Sequence, residues 1–345
     1  MIRCFFVTIV MGLLLTVPAA AARLDPGKIN NAEYRPAPNG KKSGTRQSIP
    51  NGKIDPLIVK AEVLLSRAFF SPGEIDGKLG ENAQKALTAF AQARGLPSTK
   101  PLTPEIWKAL TAVSTDPIIT EYTISEKDIK GPFLRKLPAK MEQMQDIKSL
   151  GYTSPREAIA EKFHMSEELL VALNPGTEFK RGGEIILVVK VPDQATLPVE
   201  RLEVDKSRQT VRAFDSSGKL IAFFPATVGS EEKPTPSGSL KVVSVHADPT
   251  YRYNPDFKFK GVKSRKPFTI APGPNNPVGS FWIGLSAEGY GIHGTPDPSK
   301  ISKSESHGCV RLTNWDARLL GASVKKETPV VFVGEPQENA KSSAG

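Results

Sequence analysis

Short runs of β-branched and aromatic residues, separated by turns that contain proline or glycine, recur from residue 198 to residue 334. Thr210–Phe214 and Leu220–Phe224 flank the turn Asp215–Gly218, a pattern typical of a β-hairpin. Further strands are predicted at Ser239–Val245, Phe281–Leu285 and Val330–Val333. Runs this short do not favour a long helical bundle, and they predict a mainly-β sandwich or barrel in this region.

The N-terminus has the features of an export signal. Arg3 precedes the apolar stretch Cys4–Val17, and the small residues Ala19–Ala22 follow Pro18. This order is typical of a cleaved secretory signal peptide, with an uncleaved membrane anchor as the alternative. No later apolar run reaches the roughly 18 residues that a membrane-spanning helix needs. We therefore expect an exported protein with no transmembrane span after cleavage of residues 1–22.

Two smaller segments separate the N-terminus from the β-rich region. In residues 54–112, Asp55 and Thr103 each precede a proline and predict helix starts, with a third helix between them. In residues 119–192, a capping box at Ser154–Glu157 and an N-cap at Ser166 predict two helices between two short strands. The second segment carries a long insertion between Thr123 and Ser154.

The chain is basic, with 46 Lys and Arg residues against 36 Asp and Glu residues and a net charge of +10. These charges are scattered, and no basic run is interleaved with aromatic residues. A nucleic-acid partner is therefore not expected. A polyanionic surface such as a cell wall is consistent with the same balance.

Cys309 would be the one cysteine of the mature chain, because the other, Cys4, lies in the signal peptide. His293 and His307 both lie within 16 residues of it. A thiol nucleophile needs a base to form its thiolate and hydrogen-bond donors for the oxyanion that follows attack. Gly308 allows the tight turn that would point backbone N–H groups at one spot. This combination indicates acyl transfer.

A metal site is an alternative interpretation of these residues. His293, His307 and Cys309 are residue types that bind zinc, but they are three ligands without a usual zinc spacing. His164 and His246 belong to no motif and are expected to be structural. Thiolate, base and oxyanion donors suffice for acyl transfer, so neither a metal nor an organic cofactor is expected.

The motif His293-Gly294-Thr295, followed by Ser306-His307-Gly308-Cys309-Val310-Arg311, resembles the signature of L,D-transpeptidases of the YkuD type. The resemblance covers residues 198–334 and includes the Pro234-Thr-Pro turn. It implies that Cys309 is the nucleophile and that His293 is the general base, oriented by the Gly294 carbonyl. It further implies that the backbone of His307, Gly308 and Cys309 forms the oxyanion site. Ser306 would hold the loop, and Arg311 would stabilise the site or bind a substrate carboxylate.

The accessory segments resemble cell-wall modules. The Asp-Gly-x-x-Gly turn at residues 76–80 and Arg94-Gly95-Leu96 resemble a peptidoglycan-binding domain of three helices. Strand, helix, helix, strand, with Asn174-Pro175 after the second helix, resembles a LysM module of α+β type. The predicted boundaries are 1–22 for the signal peptide, 23–53 for a flexible linker, 54–112 for the helical domain, 119–192 for the LysM-like domain, 198–334 for the catalytic domain and 335–345 for a flexible tail.

Together these resemblances imply a periplasmic, wall-associated enzyme that acts on peptidoglycan stem peptides and glycan. Cys309 would attack the bond before the terminal D-Ala of a tetrapeptide stem, and an amine of a neighbouring stem would then form a 3→3 cross-link. Water as the acceptor would make the protein an L,D-carboxypeptidase, and an outer-membrane lipoprotein would make it an anchoring enzyme. Carbapenem inhibition is also implied. A papain-like hydrolase and a sortase fit the order and spacing of His293 and Cys309 less well, and a catalytically silent wall-binding protein is the non-enzymatic alternative.

Overall fold

The structure is a computed structural model, and it describes residues 23–36, 52–192, 195–229, 235–257, 262–303 and 308–335. The predicted signal peptide lies outside these residues, as do the turn residue Pro234 and all of the predicted tail after Glu335. In the described part of the chain, no helix is both long and apolar enough to cross a membrane.

The first accessory segment is helical, and side-chain caps fix where two of its helices begin. The Asp55 carboxylate accepts a hydrogen bond from the Leu57 amide, and the Thr103 hydroxyl accepts one from the Ile106 amide. Both caps precede a proline at the first helical position, where a missing N–H costs nothing. The helices of this segment are α2 (Pro56–Arg67), α3 (Glu81–Ala93) and α4 (Pro104–Thr111), and a short helix, α1 (Pro26–Asn30), precedes the segment.

The prediction of a flexible linker from residue 23 is wrong for residues 23–36. Helix α1 buries Ile29 completely. The Asn30 side-chain oxygen accepts hydrogen bonds from the backbone amides of Ile118 (2.8 Å) and Ile119 (2.9 Å). The Leu24 amide donates to the Ala172 carbonyl at 3.0 Å. These partners are distant in sequence, so composition alone gave no sign of them. Residues 37–51 lie outside the described part.

The second accessory segment pairs its first and last strands, β1 (Ile119–Thr123) and β2 (Ile185–Val189), as an antiparallel ribbon. The Asn174 amide group joins helix and strand, since its oxygen accepts from the Leu187 amide and its nitrogen donates to the Leu170 and Leu187 carbonyls. Between the strands lie α5 (Glu126–Lys130), a 3₁₀ turn (Met141–Met144), α6 (Pro155–Lys162) and α7 (Glu167–Leu173).

Only one of the two hydrogen bonds of the capping box predicted at Ser154 forms. The Ser154 hydroxyl caps the Glu157 amide at 3.1 Å. The Glu157 carboxylate, however, accepts from the Thr153 amide and from the Asn275 side chain of the β-rich region. The local bond of this carboxylate has thus moved by one residue, from Ser154 to Thr153, and its other oxygen makes a tertiary contact. A complete capping box is present instead at Ser125 and Asp128.

Both accessory segments contribute to one hydrophobic core. Buried side chains of α2, α3 and α4 pack in the same cluster as those of α6, α7 and the β1–β2 ribbon. The division into a domain at 54–112 and another at 119–192 therefore stays a prediction from sequence, and their apolar interiors are continuous. Among the largest fully buried side chains of this core are Leu64, Leu65, Phe90, Ile106, Leu110 and Phe179.

The C-terminal region is built on one curled sheet of eight strands in the order β11-β10-β9-β6-β12-β3-β4-β5. A separate ribbon, β7–β8, and helix α8 accompany it. This is the mainly-β architecture expected from the sequence, as a single sheet rather than two. The elements are β3 (Arg201–Asp205), β4 (Thr210–Phe214), β5 (Leu220–Pro225), β6 (Gly238–Ala247), β7 (Tyr251–Tyr253), β8 (Phe268–Ile270), β9 (Phe281–Leu285), β10 (Gly291–His293), β11 (Val310–Arg311), α8 (Asn314–Ser323) and β12 (Pro329–Val333).

Both outer strands of this sheet have backbone partners. Thr227, just after β5, exchanges two backbone hydrogen bonds with Arg311 of β11, at 2.9 and 2.8 Å, and so joins the two ends of the curled sheet. The free side of β5 pairs with the accessory segment, because Phe223 donates to the Phe69 carbonyl and accepts from the Ser71 amide. The accessory core is thereby attached directly to the eight-stranded sheet.

Polar side chains strengthen this attachment at helix α8. The Ser71 hydroxyl donates to the buried Asp316 carboxylate at 2.8 Å. The Asn314 amide nitrogen donates to Glu161 of α6 at 3.0 Å. The Trp315 ring stacks on His164 with centroids 5.0 Å apart. His164 thus has a structural role, in agreement with the expectation from sequence.

Candidate active site

Three neighbouring strands bring the motif residues together at one end of the sheet. Strand β10 lies between β9 and β11, and its last residue, His293, stands opposite Trp282 of β9 and Arg311 of β11. Cys309 immediately precedes β11. The two halves of the sequence motif, separated by a loop, are therefore adjacent in space because their strands pair in register.

Cys309 sits at the turn that leads into β11. Gly308 has a φ of 100°, a conformation that favours glycine, and this turn delivers the thiol to the cleft. The Cys309 side chain is half-buried, and its Sγ lies 3.6 Å from the Gly289 carbonyl oxygen. The thiol is thus accessible, and the Gly308 turn and the contact with Gly289 define its position.

His293 is held in one orientation. Its ring is 3% exposed and stacks on Trp282, with ring centroids 5.6 Å apart. Its Nδ1 atom lies 2.7 Å from the Gly294 carbonyl oxygen. Because a carbonyl oxygen can only accept, Nδ1 carries the proton and Nε2 keeps the lone pair. Burial, aided by the charge of Arg311, lowers the pKa of His293 to about 3, so the imidazole is neutral near pH 7.

Arg311 brings positive charge to the thiol. Burial lowers the pKa of its guanidinium from the ordinary value, while the charges of Cys309 and Tyr251 act in the opposite direction. A positive charge beside a thiol stabilises the thiolate form. The arrangement can therefore support a cysteine nucleophile next to a neutral imidazole base.

A cavity of about 610 Å³ opens over these residues. This volume can hold a ligand of a few residues. Cys309, His293 and Arg311 all line it, together with the aromatic side chains of Trp282, Tyr251 and Tyr290. The rest of the wall is formed by Met141, His246, Ala247, Asp248, Pro249, Thr250, Arg252, Pro277, Val278, Glu288 and Gly289.

Of the predicted site residues, the structure places Cys309, His293, Gly294, Gly308 and Arg311 at this cavity or directly beside it. Ser306 and His307 lie outside the described residues. The described part of the chain contains no group of three or more His, Cys, Asp or Glu side chains that could hold a metal ion.

His246 lies opposite Trp282 in the β6–β9 pairing and lines the cavity, and its structural role stays a prediction. No local motif marks this histidine. Its place in a strand that pairs with β9 is a long-range feature. Trp282 and Tyr251 escaped the sequence analysis for the same reason.

Asn314 supports the His293 loop from behind. Its Oδ1 accepts from the Ser280 amide at 3.0 Å, and its Nδ2 donates to the Pro274 carbonyl at 3.1 Å and to Glu161 at 3.0 Å. A Cβ atom on Gly294 would collide with the Asn314 side chain. The residue whose carbonyl orients His293 thus packs directly on Asn314.

Comparison with known proteins gives this site its family. Residues 200–332 match the family model of the YkuD-type L,D-transpeptidase catalytic domain. This part of the chain is an L,D-transpeptidase catalytic domain. It contains every described residue of the candidate site except Met141, which comes from the accessory segment.

Related proteins carry the same family name. Over 176 residues, the chain is 29% identical to the putative L,D-transpeptidase YkuD of Bacillus licheniformis, covering 50% of this chain and 90% of that protein. Over 194 residues, it is 28% identical to the probable L,D-transpeptidase YbiS of Escherichia coli, covering 54% of this chain and 62% of that protein.

A solved structure of L,D-transpeptidase 3 from Mycobacterium tuberculosis, with a faropenem-derived adduct, aligns with a TM-score of 0.33 at 18% identity. The alignment covers 44% of this chain and 75% of that chain. The assignment of the L,D-transpeptidase domain rests on the sequence comparisons.

Proposed function

We propose that this protein is an exported peptidoglycan L,D-transpeptidase that forms 3→3 cross-links with Cys309 as its nucleophile. The observation that carries the proposal is the contact between Nδ1 of His293 and the Gly294 carbonyl oxygen, which are 2.7 Å apart. The Nδ1–H of His293 is committed to the Gly294 carbonyl, and the Nε2 lone pair is left to take a proton in the cavity that also holds Cys309.

In the first step, Sγ of Cys309 attacks the carbonyl carbon of the bond between the third stem residue and the terminal D-Ala. The thiol proton moves to Nε2 of His293. Backbone N–H groups of His307, Gly308 and Cys309 would stabilise the oxyanion, as in other acyl transfers. When the carbon–nitrogen bond breaks, the imidazolium returns the proton to the leaving amine of D-Ala, and a thioester remains on Cys309.

In the second step, an amine of a neighbouring stem attacks the thioester carbonyl. The amine gives up a proton to His293, the carbon–sulfur bond breaks, and the released thiolate regains a proton from the imidazolium. The product is an amide between two stems. Arg311 lines the cavity beside the thiol and is proposed to bind a substrate carboxylate or to stabilise the thiolate.

The test is a reaction of purified mature protein with disaccharide-tetrapeptide, read by mass spectrometry. We expect a dimer that lacks one D-Ala, no dimer with Cys309→Ala, and a loss of about 100-fold or more with His293→Ala, the range for removal of a general base. Release of D-Ala without dimer would indicate an L,D-carboxypeptidase or an acceptor absent from the tube, such as a lipoprotein. No turnover by a folded wild type would refute the proposal.

A further inference from the structure

Met141 is the one described residue of the active-site cavity that lies outside the catalytic domain. It belongs to the insertion between the first strand and the first long helix of the LysM-like segment. We call residues 131–150 of this insertion the strap. The strap includes the 3₁₀ turn Met141–Met144 and ends at the buried Leu150.

The strap is attached to the catalytic domain at two points. At its middle, Oε1 of Glu142 accepts hydrogen bonds from the backbone amides of Lys263 (2.6 Å) and Ser264 (3.3 Å). At its end, the Leu150 amide donates to the Pro272 carbonyl and the Leu150 carbonyl accepts from the Asn275 amide, both at 2.9 Å. These bonds hold the intervening residues against the segments that precede and follow β8.

A second cavity of about 280 Å³ lies along the same strap. Its wall combines Ala139, Met141 and Met144 of the strap with residues of the loop that follows His293, including Thr295 and Asp297. Met141, Pro277 and Arg311 line both cavities. The strap therefore crosses the cleft at the level of Arg311, with an open chamber on each side of Met141.

The chemistry of the strap matches that of a peptide stem. Two of its apolar side chains line the chambers, Met141 both of them and Met144 the smaller one, while its basic residues outnumber its acidic ones. The strap carries Arg135, Lys136, Lys140 and Lys148 against Glu142 and Asp146, and the Glu142 carboxylate is engaged by backbone amides. Stem peptides combine short aliphatic side chains with free carboxylates. The two methionines can contact the aliphatic groups directly, whereas none of the four basic side chains lines either cavity, so these attract the carboxylates only at longer range.

We propose that the strap is a substrate-binding wall supplied by the accessory segment, with Met141 as its specificity-determining residue. The wall confines the peptide stem between Met141 and Arg311, and so adds contacts that hold the stem in the cleft. This inference rests on the proposed function, because it takes the stem peptide as the ligand. It assigns the insertion a role in substrate affinity and none in the reactivity of the thiol.

Four proteins test the inference: wild type, Met141→Ala, a strap variant in which residues 135–148 become a glycine–serine sequence of equal length, and Gln143→Ala. Gln143 is exposed on the same turn and lines neither cavity, so it is the matched control. Their melting temperatures and the rate of Cys309 alkylation by iodoacetamide report whether the fold and the thiol are intact.

We expect Met141→Ala to raise the KM for disaccharide-tetrapeptide about tenfold, the usual scale for loss of apolar pocket contacts, with kcat within about twofold. The strap variant should raise KM further, and Gln143→Ala and all alkylation rates should match wild type. An unchanged KM would overturn the inference. A rise in turnover on strap replacement would also overturn it, because the strap would then be an inhibitory cover.

The same variants in a Cys309→Ala background separate this inference from the proposed function. Calorimetry with disaccharide-tetrapeptide measures binding without any reaction. A Kd about tenfold weaker for Met141→Ala supports the wall even if wild type shows no turnover. Equal Kd values for Cys309→Ala with and without Met141→Ala, or no binding by either protein, would refute the proposal that the strap is a substrate-binding wall.

Discussion

Asp316 gives the sharpest prediction on the contact between the accessory core and the catalytic domain. Its carboxyl group is 3% exposed and accepts a hydrogen bond from Ser71 of the accessory segment. Burial raises its pKa from 3.8 to about 7, and hydrogen bonds from Ser71 and Thr313 only partly oppose this. At pH 8 the folded protein therefore carries a buried carboxylate with little compensating charge.

The direction in which the free energy of unfolding changes with pH follows from the protons that the folded and unfolded states bind. Between pH 3.8 and about 7, the folded state holds a proton on Asp316 that the unfolded state has released, so the free energy of unfolding falls as pH rises. The difference of about three pH units corresponds to about 4 kcal/mol. Asp316→Asn keeps an oxygen that can accept from Ser71 and removes the ionisation. We expect it to be up to about 4 kcal/mol more stable than wild type at pH 8, and within about 1 kcal/mol of wild type at pH 4.

Urea unfolding at pH 4 and pH 8, followed by tryptophan fluorescence, measures the difference in the free energy of unfolding between the two proteins. Trp315 lies next to the substituted position. Other buried titratable groups, such as Glu161 and His164, are common to both proteins and drop out of the difference. The reasoning is refuted if the two proteins differ by the same amount at both pH values, because Asp316 would then contribute no pH dependence to folding.

Three further predictions concern other parts of the molecule. Glu161→Ala leaves the Asn314 amide and the Tyr152 hydroxyl without this acceptor, so we expect a loss of about 2–4 kcal/mol in urea unfolding, with Glu161→Gln near wild type. Ile29→Ala removes a fully buried side chain and should cost about 2–5 kcal/mol in the same assay, whereas a flexible linker would give no change. His293 stays neutral above about pH 3, so the pH profile of Cys309 alkylation should lack a step near pH 6.5, and a step there would contradict the low pKa.

Local features of the fold could be predicted from the sequence. Asp55 and Thr103 begin helices where a side-chain oxygen followed by proline indicates a helix start. The hairpin around Asp215–Gly218 forms as its turn residues suggest. These signals act over a few residues, and their physical cause is contained in that short stretch of chain.

Long-range features could not be predicted in this way. Glu157 has a sequence position typical of a capping box, yet its carboxylate accepts from Asn275, more than 100 residues away. Ile29 lies in a polar stretch, and its burial depends on a core made by both accessory segments. The candidate active site also combines local and long-range features. Cys309 and His293 belong to a sequence motif. Trp282, Asn314 and Met141 come to the site through strand register and the docking of the strap.

The pairing of Phe223 with Phe69 and Ser71 has a consequence for the catalytic domain on its own. An outer strand with unpaired N–H and C=O groups is a template for another copy of the chain. In the whole protein, the accessory segment occupies this side of β5, and Thr227 occupies the side of β11 at the other end of the sheet. A catalytic domain cut out at residue 195 would expose β5, and we expect it to aggregate through strand pairing between molecules. We expect the accessory segment to prevent this association in the whole protein.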